Sequence, residues 1–168
     1  MLDRPRYDAL RGGEPDVQDV IALAARCLDL GTKVVVVKCG ARGLYARTAS
    51  AARLAEMGRA APAHPDDWAG REVWSPCFTP EPLVGTTGAG DATIAGFLAA
   101  LLRGESLAQA TTMACAVGAC NVEAADALSG VRTWEETTRR VQAGWRRQPV
   151  ALPAGWAPDI NDLWMFCS

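Results

Sequence analysis

Residues 85–104 read GTTGAGDATIAGFLAALLRG, and they decide how the rest of the chain is interpreted. Three glycines in this stretch precede a segment whose large apolar residues recur at helical spacing from Ile94 onward. The spacing predicts a helix that begins next to the glycines. Glycine lets the backbone approach a ligand closely, and the N–H groups at a helix start attract anions. The stretch therefore predicts a phosphate site with Asp91 at its mouth, where a carboxylate can accept a hydroxyl proton.

The glycine spacing alone leaves a structural interpretation open. Glycine-rich turns before helices are common, and aspartate is a frequent residue near helix starts for reasons of capping. The stretch is not a Walker A loop, because no Gly-Lys-Ser/Thr follows it. Its glycine spacing also differs from that of a dinucleotide-binding fingerprint. The residues alone thus indicate either an anion site or a turn that only shapes the backbone.

The flanking segments alternate between helical and extended patterns. Residues 16–30 predict a helix that stops at Gly31, and the β-branched run at 33–39 predicts a strand buried on both faces, as in a parallel sheet. The turn at 40–43 leads to an extended piece at 44–48. Residues 71–78 predict a further strand, which Pro76 would place at a sheet edge. Further helices are expected at 50–60, at 107–124 and at 134–146. The last two would each begin with a capping box, Ser106 with Gln109 and Thr133 with Glu136. The alternation predicts the α/β class with four or five strands.

The composition is that of a globular domain. The 168 residues are 49% hydrophobic and 21% charged with a net charge of −2, so no basic footprint indicates nucleic acid. No apolar run is long enough to span a bilayer, and residues 1–15 lack the apolar core of a signal peptide. We therefore expect a cytoplasmic protein with no nucleic-acid or membrane partner. Six cysteines and a single histidine do not favour a zinc site, and we expect the cysteines to be reduced.

Three segments carry a resemblance to a known family. TTGAGDATIAGFLAALLRG resembles the second signature of the PfkB sugar kinases, whose usual form is DTTGAGDxFxAGF. VVVVKCGARGLYART resembles the strand–turn–strand that lies near the nucleotide in that family, and AQATTMACAVGACNVEAADAL resembles the alanine-rich helix after the signature. The resemblance extends over roughly residues 16–146. It implies a ribokinase-like three-layer α/β/α sandwich that transfers the γ-phosphoryl group of ATP to a sugar hydroxyl with Mg²⁺.

The resemblance assigns roles to individual residues. Asp91 matches the catalytic aspartate, which acts as the general base, and the anion hole that holds the phosphate matches Gly88, Ala89 and Gly90. Four further residues are expected to bind ATP: Lys38, Gly40, Gly43 and Cys115.

The chain departs from the family pattern at several positions. Gly85 replaces an aspartate that helps to hold a monovalent cation in ribokinase-like members. A K⁺ ion would then depend on backbone oxygens, which are expected around Thr87, Asn121, Ala124 and Asp126. Thr93 replaces a common phenylalanine, which predicts a packing change. Lys38 and Cys39 replace Thr-Leu, so a polar contact to the nucleotide is expected to differ.

Length is the largest departure, because family members are usually much longer. We expect residues 1–168 to form one partial kinase domain, the C-terminal half that binds ATP and carries the catalytic base, with an irregular tail at 149–168. The half that supplies most sugar contacts would be absent, so the sequence does not choose the sugar. A homodimer of the parent protein is among the assemblies we expect. The alternatives are a non-catalytic nucleotide-binding remnant, a truncated fragment without its sugar site, and a purely structural domain, against which the intact GAGD loop argues.

Overall fold

The computed structural model describes residues 16–159 and 162–166. Within these ranges the chain forms five α-helices and five strands. The helices are α1 (Val17–Asp29), α2 (Ala51–Ala55), α3 (Ala89–Leu102), α4 (Leu107–Asn121) and α5 (Trp134–Gln142). The strands are β1 (Val34–Lys38), β2 (Leu44–Thr48), β3 (Glu72–Ser75), β4 (Trp156–Pro158) and β5 (Trp164–Phe166). The predictions for residues 1–15 and for Cys167 lie outside the described residues.

Local capping residues explain where two of the predicted helices begin. At α5, the Thr133 hydroxyl accepts from the Glu136 N–H at 3.2 Å, and the Glu136 carboxylate accepts from the Thr133 N–H at 3.0 Å. This is the complete capping box that the sequence predicts. At α4, the Ser106 hydroxyl accepts from the Gln109 N–H at 3.2 Å, but the Gln109 side chain meets the hydroxyl rather than the backbone. The second box is therefore half formed.

The five strands form one sheet in the order β1-β2-β3-β5-β4, and all neighbours are antiparallel. Val34 pairs with Thr48 across β1 and β2, and Leu44 pairs with Ser75 across β2 and β3. The interpretation of residues 33–39 as an interior parallel strand is wrong for this sheet, because β1 lies at its edge. The β-branched run is explained by layers on both faces of the strand rather than by two neighbouring strands.

Side-chain alternation divides the core between the two faces of the sheet. Tyr45 and Trp74 point to the face covered by α1, where they join Val17, Val20 and Ala24. The strand residues Leu44, Ala46 and Val73 point to the other face. There they join a larger cluster with residues of α3 and α4, namely Phe97, Ala110 and Ala114. Helices thus cover both faces of one sheet, which is a three-layer α/β/α sandwich and confirms the predicted fold class.

Two predictions about the ends of the sheet need correction. The tail at 149–168 is not wholly irregular, because β5 pairs with β3 and β4 pairs with β5. Trp156 is buried there, edge-on to Tyr45 with ring centroids 6.1 Å apart, and burying this large ring holds the short strands in place. β3 is central rather than at an edge, because it ends at Ser75, one residue before Pro76 would interrupt the pairing.

The buried face of α3 also differs from the predicted stripe of large apolar residues. The buried residues of this helix are small, Ala92, Gly96 and Ala100, together with Phe97. Leu98 and Leu102 are exposed. A Cβ atom at Gly96 would lie 3.0 Å from the Met113 carbonyl oxygen, so α3 and α4 pack closely through their small residues and leave Leu98 and Leu102 outside.

A partly buried ion pair anchors the loop that leads into α3. Both carboxylate oxygens of Glu123 accept from the Arg140 guanidinium, at 2.6 and 2.7 Å, and one of them also accepts from the Glu81 N–H at 2.8 Å. Burial acts to raise the pKa of Glu123, but the hydrogen bonds from Arg140 and Glu81 outweigh it and lower that pKa. The carboxylate therefore stays ionised and ties the loop before α3 to α5.

Within the described part of the chain, no helix combines the length and the apolar composition that crossing a bilayer requires.

Candidate active site

The start of α3 is shaped by Gly88. This residue caps the helix with φ +76°, a left-handed conformation that glycine adopts without strain. A Cβ atom here would lie 2.7 Å from the Ala127 Cβ and 2.9 Å from its Cα, closer than side chains pack. Gly88 therefore serves two purposes, since it turns the backbone into the helix and lets the loop after α4 approach that turn.

The first turn of α3 presents free N–H groups. The Ala89 N–H donates to the Thr86 carbonyl oxygen at 3.3 Å, and the Ala92 N–H donates to that of Gly88 at 2.9 Å. Between them, the N–H groups of Gly90 and Asp91 donate to no acceptor among the described residues. Unpaired N–H groups at the positive end of a helix dipole are suited to binding an anion.

Asp91 adds a carboxylate to the same turn. Its side chain is exposed, and it forms no hydrogen bond or ion pair with the residues that the structure describes. A carboxylate that is not committed to a structural contact is available to accept a proton from a ligand.

The structure brings Lys38 to this turn from the end of β1. Its Nζ atom lies 2.6 Å from the position that a Cβ on Gly90 would occupy. The ammonium group is therefore beside the first turn of α3, where it adds positive charge to the free N–H groups. The sequence predicts Lys38 near the nucleotide but does not predict this contact with Gly90.

The turn between β1 and β2 depends on a second glycine. Gly43 has φ +98°, and a Cβ there would lie 2.7 Å from the Cys77 nitrogen and closer still to the Ser75 carbonyl oxygen. The Gly43 N–H donates to the Gly40 carbonyl oxygen at 3.1 Å and closes the turn. Gly40 has φ +58° and open space around its Cα. The two glycines therefore differ, because only Gly43 is packed against the chain that follows β3.

Cys115 lies near a second cysteine, Cys77, which contacts the turn at 40–43. The sequence did not predict Cys77 as part of the site. Cys115 is buried in α4, and its thiol donates to the Ser75 carbonyl oxygen at 3.3 Å. The neighbouring Cys77 thiol, which raises the pKa of Cys115, donates to the Gly40 carbonyl oxygen at 3.9 Å. Cys77 and Cys115 are far apart in sequence and lack metal-ligand spacing, so nothing in the sequence pairs them.

One of the residues expected at a monovalent cation site, Ala124, lies next to Gly85. A Cβ at Gly85 would lie 3.1 Å from the Ala124 carbonyl oxygen and 3.3 Å from that of Ala125. Asn121 is buried and donates to the Ala127 carbonyl oxygen at 2.7 Å, and its own side-chain oxygen has no partner among the described residues. Thr87 is exposed on the turn before α3. Two backbone carbonyl oxygens, those of Ala124 and Ala125, therefore lie beside Gly85.

Asp126 has a structural task in the same loop. Its carboxylate accepts from the N–H groups of Ser129 and Leu128 at 2.7 and 2.8 Å, and from the Ser129 hydroxyl at 2.7 Å. These hydrogen bonds lower the pKa of Asp126 to about 2. The side chain therefore caps its own turn, which leaves the backbone oxygen of Asp126 as its contribution to an ion site.

The replacement of phenylalanine by Thr93 coincides with close packing between α3 and α4. The Thr93 hydroxyl donates to the Ala89 carbonyl oxygen at 2.7 Å and lies directly against Gly118, where it leaves no room for a Cβ. The expected packing change is thus a short polar side chain facing a glycine.

No group of three or more histidine, cysteine or acidic side chains that could hold a metal ion occurs within residues 16–159 and 162–166. Mg²⁺ is often bound through substrate phosphates and one or two carboxylates rather than by a cage of protein ligands. An exposed carboxylate beside an anion site, as at Asp91, fits an ion that arrives with the phosphates.

The fold and the candidate site define an α/β/α sandwich protein with a glycine-rich turn and free N–H groups at a helix start. Residues 7–134 match the pfkB family of carbohydrate kinases, and the chain belongs to that family. No curated protein matches the chain.

Solved structures of ribokinase-like kinases share the fold. The chain is similar to the nucleoside kinase of Methanocaldococcus jannaschii, an archaeal member of the ribokinase family, with 20% identity, a TM-score of 0.54 and 83% of this chain covered. Ribokinase from Thermotoga maritima is 25% identical over 72% of this chain, with a TM-score of 0.54. The nucleoside kinase of Burkholderia thailandensis, solved with inosine, is 20% identical over 75% of it, with a TM-score of 0.53.

The match covers only part of each of these proteins. The chain spans 38% of the Methanocaldococcus jannaschii enzyme and 34% of each of the other two. This coverage fits the prediction that the chain corresponds to a C-terminal portion of the ribokinase-like fold.

Proposed function

We propose that this chain carries the ATP-binding and proton-accepting part of a kinase that phosphorylates a hydroxyl group of a sugar or a sugar-containing compound. The observation that supports it best is the first turn of α3. Two free N–H groups and the uncommitted Asp91 carboxylate lie on this one turn, and the Lys38 ammonium lies beside it. A donor for phosphate oxygens and an acceptor for a hydroxyl proton are the two parts that phosphoryl transfer to an alcohol needs.

These groups have different roles in the proposed reaction. The N–H groups of Gly90 and Asp91, with the Lys38 ammonium, hold the phosphoryl group and offset its negative charge during transfer. The Asp91 carboxylate accepts the proton of the attacking hydroxyl. The turn at 40–43 and Cys115 lie on the side where the rest of the nucleotide binds. Mg²⁺, bound through the phosphates, would supply further charge neutralisation.

The partial coverage of the solved kinases favours a second candidate function. A chain that binds MgATP but holds no acceptor hydroxyl in place would be a nucleotide-binding module without transferase activity. Phosphorylation of a panel of sugars and nucleosides distinguishes the two, because positioning of the acceptor provides much of the rate in phosphoryl transfer. Transfer to any acceptor supports the kinase, and MgATP binding without transfer supports the module.

The Gly90→Val substitution tests the phosphate site. The branched side chain would cover the free N–H groups and displace the Lys38 ammonium, which can move because it ends a flexible side chain. We expect MgATP affinity to fall at least about tenfold, since a hydrogen bond to a charged group contributes about 1.5–3 kcal/mol. Isothermal titration calorimetry measures this, with circular dichroism to verify the fold.

Ala95→Val is the matched control, because it adds a similar side chain at an exposed position one turn further along α3. We expect it to bind MgATP as the wild type does. Unchanged binding by a folded Gly90→Val chain would remove the first turn of α3 from the phosphate site.

A substitution at Gly85 tests the monovalent cation site, which we propose is built from backbone oxygens near Ala124 and Ala125. We expect MgATP affinity to depend weakly on K⁺ in the wild type, because Gly85 offers no carboxylate. In Gly85→Asp we expect replacement of tetramethylammonium by K⁺ at constant ionic strength to raise affinity by about fivefold, the effect of one partly exposed charge pair. Gly85→Asn is the neutral control. Strong K⁺ dependence that is equal in all three proteins would mean that the side chain at position 85 plays no part.

A further inference from the structure

We propose that Cys77 and Cys115 form a redox-sensitive dithiol that hydrogen peroxide converts to a disulfide, and that this disulfide lowers nucleotide affinity. The effect on affinity rests on the proposed function, whereas disulfide formation does not. The pair connects three parts of the candidate site, namely the turn at 40–43, the segment after β3 and helix α4.

The two thiols are held together by contacts from different elements. Cys115 is fully enclosed in α4 and donates to the Ser75 carbonyl oxygen at 3.3 Å. Cys77 follows Ser75 by two residues, and the two thiols shift each other's pKa in opposite directions. The Cys77 sulfur lies 3.9 Å from the Gly40 carbonyl oxygen. β3, α4 and the 40–43 turn therefore hold both cysteines in one small region of the folded chain.

The guanidinium group of Arg147 is held beside Cys77 and Cys115. Arg147 donates to the Pro76 carbonyl oxygen at 2.7 Å, to the Ser75 hydroxyl at 3.1 Å and to the Thr112 hydroxyl at 3.0 Å. These contacts tie the guanidinium to the segment that precedes Cys77 and to α4, which carries Cys115. A cation near a thiol favours the thiolate, which is the form that reacts with peroxide.

The surroundings make the two cysteines unequal. The neighbouring Cys115 thiol lowers the pKa of Cys77, burial opposes this, and the Arg147 charge lowers it further. The Cys77 thiol raises the pKa of Cys115, and burial raises it as well. Cys77 is also partly exposed, whereas Cys115 is not. Cys77 is therefore the thiol that meets the oxidant, and Cys115 is the one that resolves it.

The oxidation balances with peroxide as the only oxidant. The Cys77 thiolate attacks one peroxide oxygen, an S–O bond forms, the O–O bond breaks, and hydroxide leaves to take up a proton. The Cys115 sulfur then attacks the Cys77 sulfur as its own proton is lost, an S–S bond forms, the S–O bond breaks, and water leaves. The two thiols lose two electrons in total, and peroxide becomes two water molecules.

The disulfide would change the site because it shortens the distance between the two sulfurs to that of a covalent bond. The Cys77 sulfur then moves towards α4 and away from the Gly40 carbonyl oxygen. The turn at 40–43 rests on the same backbone, since Gly43 packs directly against Ser75 and Cys77. We expect the movement to disturb the side of the site where the nucleotide binds.

The experiment uses the whole chain, treated with one equivalent of hydrogen peroxide, alkylated with iodoacetamide and digested for mass spectrometry. We expect a peptide pair joined through Cys77 and Cys115, lighter by two hydrogen atoms and separated again by dithiothreitol. Cys77→Ser should abolish it, whereas Cys27→Ser, which alters a partly exposed cysteine of α1, should not. Failure to detect the joined peptides, or other pairings in their place, would overturn the dithiol.

Calorimetry with MgATP on the reduced and oxidised chains tests the second half of the proposal. We expect oxidation to abolish or strongly weaken binding in the wild type, to leave Cys77→Ser unaffected, and to be reversed by dithiothreitol. Equal affinity of the reduced and disulfide-linked chains would overturn the effect on nucleotide binding. A reduced chain that binds no MgATP would contradict the proposed function, while the joined peptides would still decide whether the dithiol forms.

Discussion

Replacing Asp91 with asparagine is expected to lower kcat for phosphoryl transfer by on the order of 10²-fold or more, the range for loss of a positioned general base. The substitution keeps the size of the side chain and leaves the N–H groups of the first turn of α3 in place. MgATP affinity should therefore change little. The rate is measured with an acceptor that the panel of sugars and nucleosides identifies, and the affinity is measured by calorimetry.

The control for this prediction is Asp29→Asn. Asp29 ends α1, which covers the opposite face of the sheet from α3, and its side chain is exposed. Removing this carboxylate should leave kcat unchanged. A near-normal kcat in Asp91→Asn would exclude Asp91 as the base, and a parallel loss of MgATP affinity would assign it to binding instead.

Gly43→Ala is expected to cause the largest loss of stability among single substitutions near the site. A methyl group there would lie 2.7 Å from the Cys77 nitrogen and 2.9 Å from the Pro76 carbonyl carbon, which are backbone atoms that cannot move aside easily. Gly43 also has φ +98° and ψ −133°, a region that is essentially restricted to glycine. Strain and overpacking together predict a loss of about 3 kcal/mol or more in the free energy of unfolding.

Gly40→Ala provides the comparison for that prediction. Gly40 also has a positive φ, but nothing lies within 4 Å of the position that a Cβ would take. Only the strain of the left-handed conformation remains, which costs roughly 1 kcal/mol. Urea denaturation followed by circular dichroism measures both variants. Equal losses would show that Gly43 is not packed against the segment after β3 in the way described.

The sequence predicted those features of the fold that depend on neighbouring residues. The capping box of Thr133 and Glu136 is present because its partners lie three residues apart and meet as soon as the helix begins. The start of α3 was predicted for the same reason, since its glycines and the apolar residues after them are adjacent in the chain. Family resemblance then assigned Asp91 and the glycines their roles, and these roles remain predictions.

The predictions that were wrong concern features that depend on contacts between distant parts of the chain. Whether β1 lies inside a sheet or at its edge is decided by which strands pair with it, and a run of valines suits either arrangement. The strands near Trp156 and Trp164 are only three residues long, too short for a periodic pattern, and they exist because their rings pack against distant core residues. Leu98 and Leu102 belong to the apolar repeat of α3 but are exposed, because small residues allow α3 and α4 to approach along another face.

In the candidate site, too, individual residues could be predicted from the sequence, but the contacts between distant residues could not. The sequence predicts Lys38 and Gly90 near the nucleotide separately, but only the folded chain places the Lys38 ammonium beside Gly90. The contact between Cys77 and Cys115 is likewise a product of the fold, since one cysteine follows β3 and the other lies within α4.

The most direct test of the central claim is a titration of the isotope-labelled chain with MgATP, followed through the NMR signals of its backbone amides. If α3 begins at a phosphate site, the largest shifts will fall on Gly88, Gly90 and Asp91, with smaller shifts at Gly40 and Gly43. The amides of α1, on the other face of the sheet, should not move. Saturable shifts confined to another surface, or no shifts at millimolar MgATP, would contradict the account.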